Sequence, residues 1–421
     1  MSHTIDCVEH IPADVPAAIR QVKATLRSRM GDVNAAFAEI EAMVTTEIAD
    51  IEATRARGEE VWPIIDYADI AEQRVPADLV AVLRRRGCVV VRGHFSEGTA
   101  RGWDRDLVDY VDSNDFDAQY RGPVDDFFGT LAASRPEIYP IYWSHPQMEA
   151  RQHSRMATVQ SFLNRQWKYD SQGTVWFDPD QDIMYPDRIR RRPPGTTSQG
   201  LGAHTDSGAL ERWVLPAYQN VFRHVFDGRV AEYDPWDAAH RTQVNEYAGG
   251  MTMCSVFRTF QGWTALSEMA HDQGVLFTMP IPAAMAYILL RPLLDDVPDD
   301  ELCGVTPRRA LPINDTWHPL LMRGLSVIPD LKPGDSVWWH CDLIHGVATV
   351  TDQQGWGNVM YIPAAPMCEK NAAYARKVAG RFAAGESLDD FPEEHYETQW
   401  SGRFTPAELN PIGRRGLCLD S

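Results

Sequence analysis

PGDSVWWHCDLIHGV, residues 333–347, is the stretch that indicates most about the fold. The Pro-Gly-Asp triplet predicts a tight turn, and the apolar run after it predicts a buried strand from Ser336 to Ile344. Alternate residues of a strand share one face, so His345 is expected to end an apolar wall formed by the odd-numbered residues before it. An imidazole at the end of an apolar wall is what a buried metal site requires.

Short strands bounded by turn residues are predicted on both sides of this stretch, from about residue 200 to residue 366. Clear examples are Cys254–Gln261, Val275–Met279 and Val359–Ile362. Many short strands without alternating helices are typical of an antiparallel sandwich or jelly roll. The predicted class is therefore mainly β with helices.

Helical patterns flank the β-rich region. Apolar residues recur every three or four positions from Val15 to Ile40, with a break predicted at Gly31, and a second helix is predicted at Glu369–Ala384. The N-terminal stripe is expected to pack on its own chain; a dimer seam is the alternative. The predicted organisation is an N-terminal helical extension (1–60), a jelly-roll domain (61–366) with an irregular insertion at about 112–200, and a C-terminal helical extension (367–421) packed on the core.

Composition excludes several classes of protein. The chain has 421 residues and a formal net charge of −19, which argues against nonspecific binding to nucleic acid or to an anionic membrane. The longest clean apolar run, Ala283–Leu290, is too short to span a bilayer, and no secretory signal is visible. The seven cysteines form no C-x-x-C pair, which favours free thiols in a reducing cytoplasm.

His204-Thr205-Asp206 is a candidate pair of metal ligands. In a strand, residues i and i+2 point to the same face, so His204 and Asp206 can reach one ion. The pattern alone is weak evidence, because 13 histidines and 59 acidic residues in 421 positions produce about two such triplets by chance, and the chain has three. The triplets are His204–Asp206, His340–Asp342 and His395–Glu397.

The position of the third ligand decides between these triplets. If His340 and Asp342 formed the pair, the only later histidine would be His395, in an acidic and helical tail. Starting from His204 and Asp206, the distal ligand can be His345; a hydrogen-bonded core histidine is the alternative for that residue. Two histidines and one carboxylate leave open positions on the metal, the arrangement of non-haem Fe(II) oxygenases.

These motifs resemble the Fe(II)/2-oxoglutarate dioxygenases, in particular the phytanoyl-CoA-hydroxylase-like branch. Over nearly its full length the chain is more similar to the YbiU family of bacterial and fungal proteins. The resemblance implies a double-stranded β-helix (jelly-roll, cupin-like) core with an iron site, and it supplies a class rather than a reaction. The runs that carry it are PPGTTSQGLGAHTDSGALERW (193–213), SVFRTFQGWTALS (255–267), GDSVWWHCDLIHGV (334–347) and QQGWGNVMYIPAAPMCEKN (353–371).

One feature departs from the pattern of that superfamily, in which an arginine shortly after the distal histidine pairs with the far carboxylate of 2-oxoglutarate. No Arg or Lys lies between His345 and Lys370. We predict that Arg258, in an otherwise apolar strand, supplies the cation, because a buried guanidinium needs an anionic partner. A structural salt bridge or a surface position is the alternative. Asn358 is expected to assist by hydrogen bonding.

The predicted function is a dioxygenase that binds Fe(II) through His204, Asp206 and His345 and uses 2-oxoglutarate and O2 to hydroxylate a small molecule. The basic run Arg188–Arg192 is either a solvated turn or a lid that meets an anionic substrate. Two alternatives stay open: a metal cupin that does not use 2-oxoglutarate, such as a ring-cleaving dioxygenase or an isomerase, and a non-catalytic binding protein on the same fold. The sequence leaves the oligomeric state and the prime substrate undetermined.

Overall fold

Two sheets, of seven and five strands, form the centre of the protein. The computed structural model describes residues 10–121, 137–245, 255–307, 309–391 and 394–419. The described strands are β1 Ile64–Asp66, β2 Cys88–Arg92, β3 Ile138–Tyr139, β4 Asp170–Ser171, β5 Thr174–Val175, β6 Asp178–Asp182, β7 Ile189–Arg190, β8 Leu201–Thr205, β9 Phe260–Ala265, β10 Leu276–Met279, β11 Leu311–Pro312, β12 Ser326–Val327, β13 Ser336–His340, β14 Ile344–Val347, β15 Val359–Tyr361 and β16 Pro366–Met367.

Helices surround the sheets and also lie between strands along the chain. The structure is therefore mixed, and the prediction of a mainly β chain underestimated the helices inside residues 61–366. Several of them span only four to seven residues, too few for a clear helical periodicity in the sequence. The described α-helices are α1 Val15–Met30, α2 Val33–Ala56, α3 Tyr67–Ala71, α4 Ala77–Arg86, α5 Glu97–Ser113, α6 Phe116–Gln119, α7 His145–Arg151, α8 Ser154–Asn164, α9 Glu211–Val214, α10 Pro216–Val221, α11 Arg223–Phe226, α12 Ala284–Leu290, α13 Pro319–Arg323, α14 Glu369–Ala384 and α15 Pro411–Gly416.

The strand order is β1-β2-β13-β9-β15-β7-β3 in the larger sheet and β11-β8-β14-β10-β12 in the smaller one. All these neighbours are antiparallel except β1 and β2. Side chains of both sheets share one hydrophobic cluster, in which Val90, Trp263 and Val337 of the larger sheet meet Leu276 of β10. The two sheets therefore pack against each other, and the space between them can hold a site.

The chain crosses from the larger sheet to the smaller one within residues 333–347. The predicted strand Ser336–Ile344 ends at His340, and a turn at residues 341–343 leads into β14. The turn is closed by the Leu343 N–H, which donates to the His340 carbonyl over 2.9 Å. The prediction that Trp339 and His345 share one strand face is wrong, because they lie on strands of different sheets.

The N-terminal helices cover the body of their own chain. Asp14 and Asp32 cap α1 and α2, and Gly31 separates the two helices with a φ of 80°. Leu26 of α1 and Ile48 of α2 are completely buried in a cluster with residues of α9 to α12. The apolar stripe therefore packs within the chain as predicted, and the predicted C-terminal helix Glu369–Ala384 is confirmed as α14. Within the described ranges, no helix is both long and apolar enough to cross a membrane.

Deleting residues 1–55 should lower the solubility of the protein sharply. The deletion uncovers the apolar surfaces of α9 to α12 that α1 and α2 bury, and contiguous exposed apolar patches promote association. Sedimentation of the clarified truncated protein and dye binding to exposed apolar surface measure the effect. A truncated protein that is soluble, stable and merely monomeric would instead support the dimer-seam interpretation.

Candidate metal centre

His204, Asp206 and His345 meet between the two sheets. His204 on β8 and His345 on β14 are direct partners across an antiparallel pair, and Asp206 follows the end of β8. The His204 Nε2 lies 3.7 Å from one Asp206 carboxylate oxygen, and the His345 Nε2 lies 3.7 Å from the other. One ligand atom from each residue lies within 4.8 Å of the others, so the three can share one ion.

Backbone carbonyls orient both imidazoles. The Nδ1 of His204 lies 2.7 Å from the Gly202 oxygen, and the Nδ1 of His345 lies 3.0 Å from the Leu343 oxygen. Because a carbonyl only accepts, each Nδ1 carries the hydrogen, and each Nε2 is the ring nitrogen that can bind a metal. This is the orientation of metal-ligating histidines, whose other ring nitrogen donates to a carbonyl or carboxylate.

The charges of the three groups suit a divalent cation. Burial lowers the pKa of His345 to about 4, so this imidazole is neutral at pH 7. Burial alone would raise the pKa of Asp206, but His345, His204 and Arg258 together bring it below its ordinary value. Two imidazoles and one carboxylate form the ligand set of non-haem iron, so the residues present fit such a metal.

The three ligands open into a cavity between the sheets. Its apolar wall comes from both sheets, with Trp263 and Trp339 from the larger one and Leu276 and Val347 from the smaller one. Its charged lining residues, besides the candidate ligands, are Glu137, Asp187, Arg188, Arg190 and Arg258. A mostly apolar cavity with a few convergent polar groups is the usual form of a small-molecule site.

Arg258 lies in this cavity, although not in a strand. The residues before Phe260 are irregular, so the predicted strand Cys254–Gln261 is wrong apart from its last two residues, and its first residue lies outside the described part of the chain. Arg258 is only 5% exposed, and its Nη2 has no hydrogen-bond partner within the described residues. The alternatives of a surface position and of a salt bridge to a core carboxylate receive no support from the geometry.

Asn358 is not brought to the cavity. It is completely buried just before β15, and its side-chain Nδ2 donates to the Asp104 carboxylate over 3.0 Å. Its backbone N–H donates to the Ser267 hydroxyl over 2.9 Å. These contacts fix the start of β15, and the geometry gives the Asn358 side chain no place beside a co-substrate.

The basic run Arg188–Arg192 is buried, so the prediction of a solvated turn is wrong. Ile189 and Arg190 form β7, whose register places Arg190 opposite Val359 of β15. Alternation along the strand directs Ile189 into a hydrophobic cluster and turns Arg188 and Arg190 toward the cavity. Sequence reasoning missed Arg190 as a cavity residue; the Arg-Ile-Arg alternation was the available signal.

His340, Cys341 and Asp342 also come close enough to hold a metal, but their groups have other partners. Both Asp342 oxygens bind guanidinium groups, at 3.1 Å from Arg212 and 2.6 Å from Arg241. The His340 ring stacks on Trp167 at 4.5 Å between centroids and 9° between planes. Its Nε2 contacts the Pro235 carbonyl at 3.0 Å, and its Nδ1 accepts from the Asp342 N–H at 3.1 Å. This group is a buried ion-pair network, and the metal site predicted from His204 remains the better candidate.

Asp342→Asn should destabilise the protein by about 3–5 kcal/mol, because it leaves the buried Arg212 and Arg241 without their counter-charge. Chemical denaturation of the purified variant measures the loss. The metal content of the folded variant should equal that of the wild type, and a parallel loss of metal would contradict the structural role of Asp342.

The site defines a class of protein with a candidate two-histidine, one-carboxylate metal centre between two sheets. The chain belongs to the Gig2-like family, whose model matches residues 13–419. It is 62% identical over 411 residues to the Escherichia coli K12 protein YbiU, with 97% of this chain and 98% of YbiU covered. The resemblance to the YbiU family is thereby confirmed.

Solved structures agree with this placement. A Salmonella typhimurium LT2 protein that carries a provisional oxidoreductase name is 62% identical, with a TM-score of 0.94 over 97% of this chain and 98% of that one. The Candida albicans protein of GlcNAc Inducible Gene 2 is 25% identical, with a TM-score of 0.80 over 97% of this chain and 91% of that one. The full-length similarity to a protein with a provisional oxidoreductase name supports an enzyme.

Proposed function

We propose that the protein is an Fe(II)- and 2-oxoglutarate-dependent oxygenase that hydroxylates a small molecule. The observation that carries the proposal is the convergence of His204, Asp206 and His345 in the wall of a buried cavity. The same cavity holds Arg258, whose Nη2 has no hydrogen-bond partner among the described residues. The proposed partners are O2 and a small-molecule substrate, and the proposed location is the cytoplasm. We also propose that the catalytic domain spans residues 61–366, between the N-terminal and C-terminal helical extensions.

The strand order supports a double-stranded β-helix as the scaffold. Strands β7, β9, β13 and β15 belong to the larger sheet, whereas β8, β10, β12 and β14 belong to the smaller one. The chain therefore changes sheet at nearly every step, as in a jelly roll built from two Greek keys. In this proposal β1, β2 and β3 extend the larger sheet, and β11 extends the smaller one.

In such centres Fe(II) supplies O2 activation coupled to oxidative decarboxylation of 2-oxoglutarate. The contribution of this chain is to bind, orient and exclude water. His204, Asp206 and His345 would hold the metal, and the backbone carbonyls of Gly202 and Leu343 keep both imidazoles in the tautomer that leaves Nε2 free to bind it. Trp263 and Trp339 line the cavity and limit the access of water.

Arg258 is the proposed anchor for the far carboxylate of 2-oxoglutarate. A guanidinium offers a planar two-pronged donor that matches a carboxylate. Arg258 lines the metal cavity, and its charge acts on both Asp206 and His345. A buried cation with an unpartnered Nη2 is suited to a ligand that brings its own negative charge.

A metal cupin that does not use 2-oxoglutarate is the second candidate. It is favoured by the absence of Arg or Lys between His345 and Lys370. A non-catalytic binding protein is the third, and the complete set of three candidate ligands argues against it.

Incubating the purified protein with Fe(II), ascorbate and 2-oxoglutarate distinguishes the three candidate functions. Formation of succinate supports the proposal. Stoichiometric iron without succinate, and without binding of 2-oxoglutarate to the metal-loaded protein, supports the second candidate. Failure to bind iron in stoichiometric amount supports the third.

A further inference from the structure

Among the described residues, no carboxylate lies within ion-pair distance of two guanidinium groups of the cavity, those of Arg258 and Arg190. Arg258 is 5% exposed and Arg190 is 4% exposed. The contacts of Arg190 are a long hydrogen bond of 3.4 Å from its Nε to the Gly357 carbonyl and a 3.9 Å contact with the Met269 sulfur. Within the described residues neither arginine forms an ion pair, although burying an unpaired charge is costly.

The other three arginines of the basic run each lie within ion-pair distance of a carboxylate. Arg188 lies 3.9 Å from Asp187, Arg191 lies 4.0 Å from Asp104, and Arg192 lies 3.9 Å from Glu137. Asp187 and Glu137 are, with Asp206, the acidic residues of the cavity wall. Asp206 faces the two imidazoles. The charge of Arg258 acts on Asp187 and Asp206, but no carboxylate of the described residues lies within ion-pair distance of Arg190 or Arg258.

The two arginines enter the cavity at opposite ends of β9. Arg258 lies two residues before Phe260, the first residue of β9. Arg190 lies near the other end, because it pairs with Val359, and Val359 pairs with Ala265, the last residue of β9. Phe260 and Ala265 are the two ends of β9, about 16 Å apart at the usual rise of a strand. The backbones that carry Arg258 and Arg190 therefore lie toward opposite ends of β9, which favours two anion positions over one that is shared.

We propose that the cavity contains two separate carboxylate subsites, one at Arg258 and one at Arg190, and that the prime substrate is therefore a small organic acid. The inference rests on the proposed function for one assignment, that 2-oxoglutarate occupies the subsite at Arg258. The subsite at Arg190 then receives the carboxylate of the substrate. The apolar wall around Trp263 and Leu276 contacts the carbon chain between that carboxylate and the metal.

Binding measurements test the inference without turnover. Mn(II)-loaded wild-type protein, Arg258→Gln and Arg190→Gln are titrated with 2-oxoglutarate by calorimetry, and then with glutarate while 2-oxoglutarate is saturating. Arg258→Gln should bind 2-oxoglutarate at least tenfold more weakly. Arg190→Gln should keep its affinity for 2-oxoglutarate within about twofold and bind glutarate at least tenfold more weakly.

Two further variants control for folding. Arg191→Gln removes a buried arginine that is paired with Asp104 and does not line the cavity, so it should bind both ligands normally. Arg190→Lys keeps the charge but loses the planar fork. It should recover part of the glutarate affinity. Such a recovery would show that Arg190→Gln loses affinity because it lacks the charge and not because it is poorly folded.

Each outcome decides a separate point. A tenfold loss of 2-oxoglutarate affinity in both glutamine variants, no loss in either, or no glutarate binding to the wild-type complex would overturn the two subsites. If Arg190→Gln weakens 2-oxoglutarate binding and Arg258→Gln weakens glutarate binding, two subsites are upheld and Arg258 is rejected as the anchor of 2-oxoglutarate. Wild-type protein that does not bind 2-oxoglutarate would reject the proposed function. Glutarate binding that is weakened by Arg190→Gln and not by Arg258→Gln would then still support a separate subsite at Arg190.

Discussion

Replacing His345 by alanine is expected to reduce the affinity for Fe(II) on the order of 100-fold or more, since even supporting contacts of a metal site cost 10–100-fold. The variant leaves two protein ligands, His204 and Asp206, which cannot hold one face of an octahedral ion. The same loss is expected for His204→Ala and Asp206→Ala. Iron content after anaerobic reconstitution and gel filtration measures it, and thermal unfolding shows whether the fold survives.

His340→Ala is the matched control for this experiment. His340 belongs to the other group of residues close enough to bind a metal, but its ring stacks on Trp167 and both its nitrogens have backbone partners. We expect this variant to lose stability and keep its iron. If it loses the metal while His345→Ala retains full occupancy, the assignment of the distal ligand is wrong.

The candidate ligands could be predicted because their signals are local. His204 and Asp206 are separated by one residue, and His345 follows an apolar run with a turn signal before it. The three residues do come together, but one step of the sequence argument was wrong, because the chain turns at residues 341–343 and His345 reaches the site from the second sheet. Position along the chain was sufficient to select this histidine, but the direction of its side chain depended on tertiary structure.

The charged part of the cavity could not be predicted in the same way. The run Arg188–Arg192 is highly charged, and such runs usually lie in solvent. Its burial depends on strand pairing that the local sequence does not reveal. Arg190 of β7 pairs with Val359 of β15 on one side and with Ile138 of β3 on the other. Asn358 shows the opposite case, since a polar residue near the expected anchor position bonds to Asp104 and does not line the cavity.

Arg258→Gln is expected to weaken the binding of 2-oxoglutarate at least tenfold, about 1.4 kcal/mol or more, while iron is retained. Glutamine is similar in polarity but supplies neither the positive charge nor the two-pronged donor for the far carboxylate. Arg258 is not among the three candidate metal ligands, so iron content should be unchanged. Calorimetric titration of the Mn(II)-loaded variant gives the affinity, and succinate formation against 2-oxoglutarate concentration should show a raised KM.

Arg258→Lys separates the charge from the geometry of the guanidinium. If bidentate pairing matters, lysine should restore only part of the affinity, because an ammonium cannot reproduce the planar fork. Equal affinity in wild type and Arg258→Gln would remove Arg258 as the anchor. Arg190 would then be the cation to test next, because it is buried and lines the same cavity.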